Sequence, residues 1–278
     1  MTQTQYLDRP GGRIAYDDSG GSGSLVIAAP GMGDTRAVYR HVRAPLVEAG
    51  FRFVTMDLRG MGESTAHWND LSDGGVASDY LALIDELDAG PAVLVGSSLA
   101  CGSAVIAATQ APESVAGLAV IGPFVRQVPQ KWWQKAVFAA MLAPPWGRSA
   151  WVSYYRTNMY PGAKPPDHDE YVAELSRNLA EKGRMASLRS LASNTHVEAG
   201  QVLTQVTQPT VVVMGTADPD FPDPVGEARE LAEILSAELL LVDGSGHYPQ
   251  ADRPEIVAPA IIDLVRRTNP PPVEPPPG

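Results

Sequence analysis

Short, nearly unbroken apolar runs recur along this chain, with helix-like stretches between them. "LVIAAP" (25–30), "FRFVTMD" (51–57), "AVLVGS" (92–97), "GLAVIG" (117–122), "TVVVMG" (210–215) and "ELLLVDG" (238–244) are rich in β-branched residues and leucine. Strands that apolar must be covered on both faces, as in a parallel sheet layered by helices. "RIAYDD" (13–18) adds a strand, set off from the next by the flexible "SGGSGS". The intervening segments 37–50 and 75–90 read as helices, closed by Gly50 and Gly90. The alternation predicts an α/β protein: a three-layer αβα sandwich around a mostly parallel, roughly eight-stranded sheet.

The rhythm breaks between Pro123 and Gln208. That stretch holds helix-like patches and no convincing strand, so the chain divides into a core domain (1–123 and 209–268) interrupted by a helical cap insertion (124–208). Trp132, Trp133, Phe138, Trp146, Trp151, Tyr154 and Tyr155 crowd into the insertion, although only 7% of the chain is aromatic. They are read as lining an apolar substrate pocket, with Trp132, Trp133, Phe138, Trp151 and Tyr155 as its candidate walls. "NPPPVEPPPG" (269–278) suits neither helix nor sheet and is expected to be a disordered, proline-rich tail.

A net charge of −11 argues against a nucleic-acid partner, which needs clustered Lys and Arg. No stretch reads as a signal peptide or spans a bilayer, and one cysteine allows no internal disulfide. The expectation is a cytoplasmic protein with no membrane partner, and Cys101 is read as a small core residue.

"VLVGSSLACG" (93–102) runs a strand directly into two serines and then small residues. A serine on a sharp strand-to-helix turn needs small neighbours two positions away on each side, the G-x-S-x-G pattern. Around Ser97 those neighbours are Val95 and Leu99; around Ser98 they are Gly96 and Ala100. Ser98 therefore takes the turn, with alanine in place of the second glycine.

Together with "APGMGD" (29–34), "DLRGMGES" (57–64), "VVVMGTADPDFPDP" (211–224) and "VDGSGHYPQADRPE" (242–255), in this order, the chain resembles the α/β-hydrolase superfamily. The resemblance covers all but the insertion and the tail. It implies the α/β-hydrolase fold, a Ser98 nucleophile and a His247 base in the loop after the last strand. His41 and His196 are assigned to helix surfaces, and His67 has no motif behind it. The triad acid is Asp218, three residues beyond Gly215, with Asp220 and Asp223 as rivals in the same loop. The oxyanion hole is assigned to the backbone amides of Leu99 and Met32, Pro30 standing where histidine is frequent. Asp34 is read as a helix N-cap, and Asp57 and Arg59 as braces of their own loop.

The resemblance implies an acyl-enzyme serine hydrolase acting on a fairly hydrophobic small ester, with no metal and no organic cofactor. The same triad also serves lactone, thioester, amide or carbon–carbon hydrolysis and perhydrolysis. The competing class is a non-catalytic ligand-binding protein on this scaffold.

Overall fold

The computed structural model describes residues 3–127 and 131–268, so the proline-rich stretch 269–278 lies outside the described residues. Eight strands form one sheet: β1 (Gln5–Arg9), β2 (Gly12–Asp18), β3 (Leu25–Ala29), β4 (Arg52–Met56), β5 (Ala92–Ser97), β6 (Val115–Ile121), β7 (Thr210–Gly215) and β8 (Glu238–Val242). Their order is β1-β2-β4-β3-β5-β6-β7-β8; β2 is antiparallel to both its neighbours, β1 and β4, and the other pairings are parallel. Every residue of β3, β5 and β7 is buried, as their unbroken apolar composition requires.

Helices α1 (Arg40–Glu48), α2 (Asp73–Leu87) and α3 (Ala100–Gln110) cover the first half of the sheet. Between β6 and β7 the described residues form five α-helices and no strand: α4 (Trp132–Met141), α5 (Gly147–Asn158), α6 (His168–Leu179), α7 (Arg184–Leu191) and α8 (Val197–Val202). Then follow α9 (Pro224–Leu235), α10 (Pro249–Asp252) and α11 (Pro254–Thr268). α1 packs with α11, α2 with α3, and both α3 and α11 lie on β6, giving the layered sandwich expected of the sequence.

From β3 the chain crosses to β4 on one side and then to β5 on the other. β3 and β5 thus flank a topological switch point, where ligands of such sheets bind beyond the carboxyl ends of the strands. The register sets those ends side by side: Ala29 is opposite Gly96, Ser97 opposite Ile121, Ile121 opposite Val213 and Gly215 opposite Val242. The loops that follow β3, β5, β7 and β8 therefore converge at one edge, and they carry the residues singled out above.

β1 was not among the expected strands. It forms a hairpin with β2 through Pro10 and Gly11, the glycine at φ +100°. Asp34 also differs from expectation: Thr35 occupies the N-cap of the short turn after the β3 loop, and Asp34 Oδ1 accepts the Thr35 amide at 2.7 Å. Arg59 braces its own loop, donating to Asp70 O at 3.1 Å, and also ties that loop to α2 by pairing with Asp79. Asp57 accepts the amides of Arg36 and Glu63 at 2.7 and 2.8 Å, tying two segments together.

Candidate active site

β5 ends at Ser97, and Ser98 adopts φ +56°, a left-handed conformation that a residue with a Cβ rarely takes. The turn is held by Ser98 N donating to Ile121 O at 2.8 Å and by Cys101 N donating to Ser98 O at 3.1 Å. A methyl on Gly96 would sit 2.8 Å from the Ala100 backbone, so the strand and helix touch where the register argument required small residues. The two serines face different neighbours. Ser97 is fully buried and its Oγ accepts from Gln250 Nε2 at 3.1 Å, whereas Ser98 keeps 6% of its surface.

The loop after β3 presses against this turn. A Cβ on Gly31 would lie 2.7 Å from Ser98 Cβ, 3.2 Å from Ser98 Oγ and 3.4 Å from the Tyr248 hydroxyl. Only glycine lets the loop come so close. Among the described residues no acceptor takes the backbone amides of Met32 or Leu99, which leaves both available to a developing negative charge.

His247 follows β8 and is almost wholly buried. Its amide donates to Met159 O at 3.1 Å, and its ring borders Gly122, whose Cβ would stand 3.1 Å from Nδ1. Phe124 links base and serine: its ring lies 6.0 Å from that of His247, and its amide donates to Ser98 O.

The three aspartates of the β7 loop separate by partner. Asp218 Oδ2 lies 2.7 Å from His247 Nδ1, and its Oδ1 accepts the Asp220 amide at 2.9 Å. Asp220 Oδ2 stands 3.7 Å from the opposite ring nitrogen, Nε2, while its Oδ1 accepts the Tyr154 hydroxyl at 2.6 Å. Asp223 caps α9 through Gly226 N. Burial alone would depress the His247 pKa, but the carboxylates of Asp218 and Asp220 outweigh it and hold the ring up to about 9. Burial raises the Asp220 carboxyl. Asp218, Asp220 and His247 place donor atoms within 4.8 Å of one another, yet the two carboxylates address opposite nitrogens of one ring.

Asp34 is a site neighbour that the sequence reading missed. Buried just beyond the β3 loop, it accepts Tyr155 at 2.8 Å and Tyr171 through a shorter bond, and burial pushes its carboxyl up to about 6. Tyr155, Tyr160 and Tyr248 stack around it. Nothing in "GMGDTR" links Asp34 to tyrosines more than a hundred residues away; only the fold does.

The expected pocket walls divide. Trp151 and Tyr155 are buried against the site loops, Trp151 Nε1 lying 3.4 Å from Gly33 O. Phe138 packs partly on the core. Trp132 and Trp133, by contrast, are 81% and 49% exposed on α4, which corrects their assignment as pocket walls: the helix buries none of its residues and turns them to solvent. His41 pairs with Asp167, His196 with Asp73, and His67 is exposed.

The chain has relatives among known proteins. The chain is 26% identical over 272 residues to a 2-hydroxy-6-oxononadienedioate/2-hydroxy-6-oxononatrienedioate hydrolase of Cupriavidus pinatubonensis, covering 91% of this chain and 90% of the relative. It is 24% identical over 260 residues to the karrikin insensitive 2 receptor IA of Petunia hybrida, covering 87% and 90%. The fold is similar to that of a thermophilic esterase from Thermogutta terrifontis, with a TM-score of 0.76 at 22% identity over 96% of this chain and 99% of that one. Residues 24–254 match the family described as alpha/beta hydrolase fold. That match spans most of the sequence, and the chain belongs to the alpha/beta-hydrolase fold family.

Proposed function

We propose that this protein is a serine hydrolase that cleaves a carboxylic ester of a fairly hydrophobic, uncharged small molecule through an acyl-enzyme. The observation that carries the reading is the left-handed Ser98 turn, pressed against Gly31 and sharing its corner of the sheet with the 2.7 Å His247–Asp218 pair. Ser98 Oγ attacks the carbonyl carbon as His247 Nε2 takes its proton, and Asp218 holds Nδ1–H and stabilises the imidazolium. The amides of Met32 and Leu99 receive the oxyanion. His247 then protonates the departing alcohol and draws a proton from water, which releases the acid and restores Ser98. No step calls for a metal or an organic cofactor.

The charged groups around the base are Asp34, Asp218 and Asp220, all acidic. The guanidinium whose charge reaches Asp34, that of Arg40, is already engaged by Asp167, and Arg36, Arg59 and Arg126 are likewise paired, with Asp57, Asp79 and Glu227 and Glu230. A site of this charge disfavours a substrate with a second carboxylate, such as the dioate in the Cupriavidus relative's name, and favours a neutral acyl group. Residues 124–208 act as its cap. α5 delivers Trp151, Tyr154 and Tyr155 to the β3 and β7 loops, and the neighbouring Met159 O holds the His247 amide.

The test is turnover of a p-nitrophenyl ester series of increasing acyl length, with Ser98→Ala alongside and fluorophosphonate labelling as a second readout. Turnover and labelling that both vanish in Ser98→Ala support the reading. A folded wild-type protein that neither turns over any ester nor labels would overturn it in favour of a binding role, like that of the petunia receptor.

A further inference from the structure

α4 has an unusual surface for a soluble domain. None of its residues is buried; Trp132 is 81% exposed, Trp133 49% and Val137 64%. Helical spacing sets Trp133, Val137 and Ala140 along one side. Trp146, itself 56% exposed, extends that side because its Nε1 donates to Ala140 O at 2.9 Å. Single exposed apolar residues are ordinary, but two tryptophans and a valine in a strip along one side, with Trp132 exposed on the adjoining side, mark a contact surface.

Charge indicates what the strip contacts. Residues 114–166 contain Arg126, Lys131, Lys135, Arg148, Arg156 and Lys164 and no Asp or Glu, in a chain whose net charge is −11. Arg126 is spent on Glu227 and Glu230, and Arg156 on Asp169. The Arg148 guanidinium donates to Ser176 O, and Lys164 Nζ to Arg156 O. Lys131 and Lys135, which bracket the tryptophan pair, form no ion pair among the described residues. An acidic molecule thus turns one apolar, cationic face outward, and the remaining surface would be repelled by whatever anion attracts it. Two copies joined symmetrically through this strip would bring lysine toward lysine, which argues against self-association.

We propose that α4 docks the protein on an anionic lipid surface. The tryptophan rings sit at headgroup level, and Lys131 and Lys135 reach toward lipid phosphates along their aliphatic stems. The expectation of no membrane partner concerned spanning segments; no described helix is long and apolar enough to cross a membrane, and a helix lying in the interface needs no span. Docking is independent of the hydrolytic reading, since it uses none of the site residues.

The experiment is co-sedimentation of the full chain with vesicles of phosphatidylcholine alone or mixed with phosphatidylglycerol, at low and high salt, with tryptophan emission recorded in parallel. Binding to the mixed vesicles is expected to exceed binding to the neutral ones by about tenfold, to weaken with salt and to shift emission to the blue. Trp132→Ser combined with Trp133→Ser, and Lys131→Glu combined with Lys135→Glu, should each lower affinity about tenfold while keeping the wild-type melting transition, because these side chains are exposed. No binding, equal binding to both vesicle types, or unchanged affinity in either double variant would overturn the proposal. So would a concentration-dependent dimer that the tryptophan variant dissolves, which would assign the strip to a second copy.

Discussion

Replacing Asp220 by asparagine removes one negative charge 3.7 Å from His247 Nε2 and leaves the side chain's size unchanged. Unit charges about 4 Å apart interact by about 1 kcal/mol in water and about 4 kcal/mol at an effective dielectric near 20. Asp220 keeps a fifth of its side chain exposed, so the lower part of that range applies. About 1–3 kcal/mol, at 1.36 kcal/mol for each pKa unit, corresponds to about one to two pH units. Only a neutral imidazole can take the Ser98 proton, and His247 is held up to about 9. Wild-type kcat/KM should therefore climb with pH until about 9, and in Asp220→Asn the climb should finish about one to two units lower. Near neutral pH the variant should then be faster by about tenfold, although a site carboxylate is gone. Stability follows the same sign. A histidine whose folded pKa lies above its unfolded value, about 6.5, gives stability that is complete below that value and lost as pH rises through the folded one. The assay is a pH–rate profile of wild type, Asp220→Asn and Asp218→Asn on the best p-nitrophenyl ester. Asp218→Asn should lose about 10⁴-fold at every pH, since Nδ1 loses its acceptor. An unmoved limb in Asp220→Asn would refute the reasoning, as would loss of activity at every pH, which would make Asp220 the partner of the base.

Gly31→Ala places a methyl 2.7 Å from Ser98 Cβ, where ordinary contacts begin near 3.4 Å. The loop must retreat by more than half an ångström, and kcat/KM should fall about 10²-fold with little change in the pH limb; activity within threefold of wild type would count against the role given to this loop. Tyr171→Phe deprives buried Asp34 of a donor and should cost about 1–3 kcal/mol in denaturant unfolding. Because the Asp34 carboxyl titrates at about 6, the loss should be larger above that pH than below it, and equal losses on either side would contradict the assignment.

The strands and the turn at Ser98 were legible because each rests on a local rule. Unbroken β-branched runs demand two covered faces, and Gly96 and Ala100 settle which serine can turn between a strand and a helix so close that a methyl on Gly96 would stand 2.8 Å from the Ala100 backbone. β1 escaped notice because it has five residues and only Leu7 is buried, so it lacks the apolar continuity that marked the others. The aspartates of "ADPDFPDP" carry no local signal that separates them; their partners, His247, Tyr154 and Gly226, are assigned by the folded loop. Aromatic density in the insertion did not distinguish its helices, because composition leaves orientation open. Trp151 packs inward on Gly33 while Trp132 faces solvent, a difference set by which helix meets the sheet edge.

α5 grips two loops at the carboxyl edge of the sheet, Trp151 and Tyr155 holding the β3 loop at Gly33 and Asp34 and Tyr154 the β7 loop at Asp220, and Met159, just past its end, holds the His247 amide in a third. A cap attached in this way is not a detachable cover over a self-sufficient core. Excising residues 124–208 to obtain a minimal enzyme would strand the buried Asp34 and the part-buried Asp220 without their phenol donors and release the histidine backbone. On the proposed function, drift in residues 124–208 toward a new substrate would likewise reach Asp34, Asp220 and His247 through the same helix, so selectivity and turnover would change together.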